Sequence, residues 1–214
     1  MVPLPGARRE AVMKLSGEQL KRFHDDGYLI IPALFSAAEV ALLHDQLLTI
    51  FQERCPQNFR EKKSDAVRTA MALHLRNPVF GRLVRHPRLI GPAMQILGSD
   101  VYVQQVKVNA KEPFGGEVWQ WHYDFATHHG EDGVPRPLAL NFHVFLDEVS
   151  DHNGPLLFIP GSHKGGPVAS VLDRVTTSYP LWTVDNDTVS SLIEKGGLVT
   201  AKGAPGTGLI FGDC

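Results

Sequence analysis

The stretch Trp121-His122-Tyr123-Asp124-Phe125 sets a histidine and an aspartate two residues apart among aromatic side chains. In an extended strand alternate residues share a face, so His122 and Asp124 would point the same way and could reach one ion. A neutral imidazole and a carboxylate on one face, joined by a second histidine from elsewhere, form the facial set that holds Fe(II) and leaves positions open for oxygen chemistry. The same pair with a bound water would also suit a zinc hydrolase. The spacing alone does not choose, because a second such pair, His24-Asp25-Asp26, occurs in the chain. That pair falls in a helical pattern, where residues two apart do not face each other.

Composition narrows the setting. A chain of 214 residues, 43% of them hydrophobic, can bury one sizeable core, so residues 1–214 read as a single domain. A net charge of −2 gives no footprint for nucleic acid, and no block of like charge marks a membrane surface. The partner expected is a small molecule. Residues Met1 to Lys14 hold Pro3, Pro5, Arg8 and Arg9 but no apolar run of signal-peptide length, and no later stretch reads as a membrane span. Cys55 and Cys214 have no zinc or CxxC spacing, which suits a reducing compartment. The expected location is therefore the cytoplasm. Composition does not fix an oligomeric state; a homodimer is compatible with it.

The elements that must position the pair come in the order helices, then strands. Ser16 can cap a helix through Asp26, Gly27 stops it, and Tyr28 to Ile31 reads as a short strand. Ser36 caps a longer helix whose Val40, Leu43, Leu47, Ile50 and Phe51 recur at helical spacing. Residues 57 to 70, polar and without periodicity, read as a loop. Two further helices are expected, around Pro78 to Val84 and from Pro87 to Leu97, the second ending at Gly98. From Val101 to Asn109 the pattern alternates, placing Gln105, Lys107 and Asn109 on one strand face. That polar face fits either solvent or a cavity that orients an acidic ligand. Later strands are expected at Leu138 to Leu146, Leu156 to Ile159, Leu198 to Ala201 and Gly208 to Phe211, with a helix from Asn186 to Lys195. Short strands behind a helical N-terminal part predict a mainly β, double-sheet jelly roll or barrel buttressed by helices.

Several uncommon strings occur in one order: Gln105-x-Lys107-x-Asn109, Trp119-Gln120-Trp121-His122-x-Asp124-Phe125, Glu131-Asp132-Gly133-x-Pro135-Arg136, His152-Asn153-Gly154-Pro155-Leu156 and Ile159-Pro160-Gly161-Ser162-His163. Together they resemble the phytanoyl-CoA dioxygenase superfamily, and within it the ectoine hydroxylases and related amino-acid hydroxylases. The resemblance implies a cupin-like double-stranded β-helix that binds Fe(II) and uses 2-oxoglutarate and O2 to hydroxylate an unactivated carbon of a small polar metabolite, amino-acid-like in character. It implies iron ligation by His122 and Asp124. It places Gln105, Lys107, Asn109 and Trp119 around the 2-oxoglutarate and substrate pocket, where a cation and neutral donors would meet the cosubstrate carboxylates and an aromatic wall would exclude water.

His163 falls in a Pro-Gly-Ser-His string that is structural in such proteins. The resemblance puts the distal iron ligand after a strand like Gly208 to Phe211, within a few residues past Cys214, with an arginine for 2-oxoglutarate beyond it. On that ground the natural protein is expected to continue past Cys214, and Leu209 and Phe211 are expected to lie on an open sheet edge without that continuation. Ectoine hydroxylases carry tryptophan at the position of His128, so this histidine is a candidate contact to a different substrate, as is Arg136, whose competing role is an ion pair with Glu131 or Asp132. Asp124 itself argues for hydroxylation, since related halogenases replace this carboxylate with a small residue. An ectoine-type hydroxylase is the alternative of the same class, and two other classes stay open: a metal-free β-barrel binding module and a zinc hydrolase on a cupin-like barrel. Residues 126 to 137 and 57 to 70 are expected to border the pocket mouth.

Overall fold

The Ser16 hydroxyl accepts a hydrogen bond from the Gln19 backbone N–H while the Gln19 side-chain oxygen accepts one from the Ser16 backbone N–H, and this reciprocal cap starts helix α1 (Gly17–Asp26). Gly27 ends it at φ +85°, and a side chain there would run into the His163 ring, whose Nε2 lies 3.1 Å from the His24 carbonyl. His163 thus packs against the end of α1, the structural role expected of it. Strand β1 (Tyr28–Ile31) follows, then helix α2 (Ala37–Gln52), capped by the same device at Ser36 and Glu39. Its buried Val40, Leu43, Leu47 and Ile50 keep the spacing read from the sequence. The structure, a computed structural model, describes residues 12–116, 118–176 and 180–214. Most of the N-terminal stretch read for a signal peptide lies outside the described residues.

Residues 57 to 70 are not a loop. They contain strands β2 (Asn58–Arg60) and β3 (Val67–Met71), an antiparallel pair with a register shift at Phe59 and Arg60. β3 is buried on both faces, including Arg68 and Thr69, so neither alternation nor an apolar run betrays it. Helices α3 (Leu73–Arg76), α4 (Pro78–Leu83) and α5 (Pro87–Leu97) come next. Asn77 caps α4 by accepting from the Val79 and Phe80 N–H groups, and Gly98 closes α5 at φ +66°. The expected nine-residue strand shrinks to β4 (Lys107–Asn109), paired with β3. The pairing stops where Ala72 N–H meets the Val106 carbonyl, because β3 turns into α3 at Leu73.

The second half holds helix α6 (Asp124–Gly130), strands β5 (Leu140–Val144), β6 (Leu157–Phe158), β7 (Val171–Asp173) and β8 (Leu181–Thr183), helix α7 (Asn186–Gly196), and strands β9 (Val199–Thr200) and β10 (Gly208–Gly212). The antiparallel order β1-β10-β5 makes β10 central, with Ile210 opposite Leu29 on one side and Phe142 on the other. Leu209 and Ile210 are both 0% exposed. β10 has β1 on one side and β5 on the other, which corrects the expectation of an open edge at this strand; of the two residues named for it, Leu209 is buried and Phe211 half-buried. The other sheets are β2-β3-β4, β6-β9 and β7-β8. Mainly β overstates the strand content: the described residues hold more helix than strand, and their sheets do not close into a barrel. Helices followed by short antiparallel sheets are what stands. Among the described residues no helix is long and apolar enough to cross a membrane.

Candidate active site

His122 and Asp124 are not on a strand. The chain from Trp119 to Tyr123 is irregular, Tyr123 is the N-cap of α6, and Asp124 is its first residue. The aromatic alternation that suggests a strand coincides with an acidic first turn, where the helix dipole favours a carboxylate. The two side chains nevertheless converge: His122 Nε2 lies 3.6 Å from Asp124 Oδ1. Both line a cavity of about 380 Å³.

Each member of the pair is held from behind. His122 Nδ1 is 2.7 Å from the Gln120 carbonyl, which can only accept, so Nδ1 carries a proton and Nε2 is the nitrogen left on the Asp124 side. Asn141 on β5 donates through Nδ2 to Asp124 Oδ2 at 2.8 Å, leaving Oδ1 on the His122 side. α6 is fixed by its first turn, where Phe125 N–H donates to the Asp213 carbonyl at 2.7 Å. Burial opposes the Asp124 charge, but His122, Lys107, His128 and the Asn141 hydrogen bond together hold its carboxyl below the usual range. His143, two residues on from Asn141 on β5, is pushed down to about 4 by burial, with Lys107 adding to the effect and Asp124 opposing it. It is a neutral imidazole, packed edge-on against Phe211.

Of the residues singled out from the sequence, Gln105, Lys107, Trp119, His122, Asp124 and His128 all line this cavity. Asn109 does not. It shares β4 with Lys107, but its Oδ1 accepts from the Thr69 hydroxyl at 2.9 Å. Arg136 is exposed and outside the cavity lining. Its suggested partners are engaged elsewhere: Glu131 accepts from Trp182 Nε1 at 3.2 Å, and Asp132 from Gln104 Nε2 at 3.3 Å. Both expected border stretches reach the cavity, through Phe59 and through Thr127, His128, Glu131 and Asp132, although 126 to 130 is helical.

Sequence reasoning missed Asn141, Asp213, Arg174 and the wall built by β8, where Leu181 and Trp182 face the cavity. Asn141 and His143 left one signal, as two polar residues at alternate positions in an otherwise apolar strand. Trp119 is backed by the Arg68 guanidinium, 4.1 Å from its ring, and Arg68 is itself buried beside Glu61.

A metal at this point would meet one imidazole nitrogen and one carboxylate oxygen, a donor set that suits Fe(II). Two bonds of about 2.1 Å each can span the 3.6 Å gap between them. His122 and Asp124 therefore fit two of the three places in a facial set. Among the described residues no group of three or more His, Cys, Asp or Glu comes together to hold an ion.

The family described as Phytanoyl-CoA dioxygenase (PhyH) matches residues 23–214. An ectoine dioxygenase of Stutzerimonas stutzeri (strain A1501) is 36% identical over 210 residues, 94% of this chain and 69% of the relative. An L-proline trans-4-hydroxylase of Streptomyces griseoviridis is 45% identical over 147 residues, 69% of this chain and 55% of the relative. The crystal structure of EctD from S. alaskensis with 2-oxoglutarate and 5-hydroxyectoine superposes with a TM-score of 0.82 at 33% identity, covering 97% of this chain and 70% of that one.

Proposed function

The chain belongs to the phytanoyl-CoA dioxygenase family, and from that premise we propose that it is a non-haem Fe(II), 2-oxoglutarate-dependent dioxygenase that hydroxylates an unactivated carbon of a small, amino-acid-like metabolite. The observation that carries the proposal is the convergence of His122 Nε2 and Asp124 Oδ1 at one cavity, each held in place by a hydrogen bond on its far atom. The proposal includes a single double-stranded β-helix domain with helical buttresses and a cytoplasmic location. Fe(II) with 2-oxoglutarate and O2 supplies the oxidising chemistry, coupled to decarboxylation of the cosubstrate.

The protein's own residues bind, orient and exclude. His122 and Asp124 contribute two of the iron's ligands. Lys107 brings a cation and Gln105 a neutral amide to the cavity wall, the groups a dicarboxylate needs. Trp119, stacked on Arg68, closes that wall against water. Asn109 acts at one remove, through Thr69 on the neighbouring strand.

A second reading, hydroxylation of ectoine itself, is favoured by the identity across 94% of the chain to relatives with that activity in their names. His128 in place of a tryptophan counts against it.

The test is 2-oxoglutarate consumption by the natural protein with and without Fe(II), together with visible absorption on adding 2-oxoglutarate to the Fe(II) protein without oxygen. Consumption should require Fe(II) and O2. Asp124→Ala should reduce it to background and remove the absorption, while Lys107→Ala should chiefly raise the 2-oxoglutarate requirement, by about tenfold or more. Tight zinc retention with no 2-oxoglutarate binding would overturn the proposal in favour of a hydrolase.

A further inference from the structure

His128 sits one helical turn beyond Asp124 on α6, so the two share a helix face over the cavity. Its Nδ1 is sealed from solvent and lies 3.5 Å from Asp213 Oδ2, itself sealed, on a residue 2% exposed. Neither atom has a hydrogen-bond partner among the described residues, so the 3.5 Å ion-pair contact is the one each makes there. A buried carboxylate left alone is costly, so the two atoms are each other's answer, and Nδ1 must carry a proton. With that edge of the ring facing Asp213 and the residue lining the cavity, Nε2 is the nitrogen left for a ligand. Resting on the hydroxylase reading above, we propose that His128, positioned by Asp213, is the donor that recognises the carboxylate of a substrate that is a free, zwitterionic amino acid.

Three further features favour this assignment. The Asp213 interaction raises the His128 pKa above the ordinary histidine value, burial opposes it, and the Asp124 and Asp132 charges add to it, which favours the imidazolium form, in which Nε2 donates with charge assistance. Glu131 and Asp132 stand on the same cavity wall and are each bound through one oxygen, which leaves acidic groups to meet a substrate ammonium. Arg174 also lines the cavity but is exposed, whereas the His128 ring is fixed by a buried partner. A cation backed by a buried carboxylate, with two carboxylates along the wall, matches a zwitterion end for end.

The test measures substrate-stimulated 2-oxoglutarate decarboxylation by the Fe(II) enzyme with a panel of free L-amino acids that includes L-proline, each beside its carboxamide, and with ectoine. At least one amino acid should stimulate, with kcat/KM about tenfold or more above that of its carboxamide. His128→Gln should raise the KM for that amino acid by about tenfold, change kcat far less, and erase the preference over the carboxamide. Asp213→Asn should raise the same KM by a smaller factor, and Asp213→Glu should restore part of it. Damage to the fold alone would instead lower kcat for acid and carboxamide alike.

The preference of the unaltered enzyme stands as a test even if every variant misfolds. Fe(II)-dependent decarboxylation stimulated by no amino acid, equal stimulation by acid and carboxamide, or a preference that survives His128→Gln and is erased by Arg174→Ala, would each overturn the inference and leave the hydroxylase reading intact. Absence of any Fe(II)-dependent decarboxylation would bring down that reading and this inference with it.

Discussion

Gln120 and Asn141 each hold the far atom of a neighbouring side chain, and through that arrangement two ordinary residues face one point. Outer partners of this kind are worth about 10–100-fold in metal affinity or activity. Asn141→Ala should therefore weaken Fe(II) binding by about that factor, read by titrating the apoprotein with Fe(II) under anaerobic conditions, with the fold intact by circular dichroism. An unchanged affinity would mean that Asp124 is oriented by α6 alone. At this scale much was legible in the sequence. Residue type and spacing raise His122 and Asp124, alternation raises Gln105 and Lys107, and the family resemblance adds Trp119 and, as a departure from it, His128, all of which line the cavity. Asn141 and Asp213 were not legible, because they arrive on strands far along the chain and no local spacing says what they touch. Arg136 was misjudged for the opposite reason: it stands in a recognisable string yet lies on the surface.

Helix ends were readable because capping is local chemistry. Ser16, Ser36 and the glycines at 27 and 98 all do what their types suggest. Strands depended on partners that local sequence does not name. Residues 101 to 105 alternate like a strand and join no sheet among the described residues, whereas β3 hides an arginine in a largely buried segment. Arg68 and Glu61, with side chains 1% and 3% exposed, lie 3.5 Å apart beneath Trp119. Removing one member takes this buried ion pair from the other, at a cost of about 3–5 kcal/mol. Arg68→Met should lower stability to urea by about that amount, and the double variant Arg68→Met with Glu61→Leu should recover a large part. Equal instability of the single and double variants would show that packing under Trp119 matters and the charge pair does not.

At the scale of the molecule, β10 joins what the helical half begins to what the sheets complete. It lies between β1 and β5, buries Leu209 and Ile210, and leads directly to Asp213 at the foot of α6. Ile210→Ala removes a 0% exposed side chain from the cluster that contains Phe23, Leu29 and Leu34, and should cost about 2–5 kcal/mol in chemical denaturation. A cost below about 1 kcal/mol would mean that this core relaxes around the cavity. The order of helices before strands was evident from changing periodicity. Which strands pair was not, since β1 and β5 meet β10, and β6 meets β9, across long stretches of sequence.

That distance bears on how the protein comes to be folded. Tyr28 pairs with Phe211, so one of the first strands made waits for one of the last described here. Pairing across such a span gives a high contact order, and the chain must meet the entropy of closing a long loop before the pairing rewards it. Until β10 arrives, β1 and β5 lack their common neighbour, and α6 lacks the Asp213 carbonyl that anchors its first turn. On this topology His122 and Asp124 are expected to come together late, with the closing of the sheet. A nascent or partly unfolded chain would hold both residues and still have no pocket in which to use them.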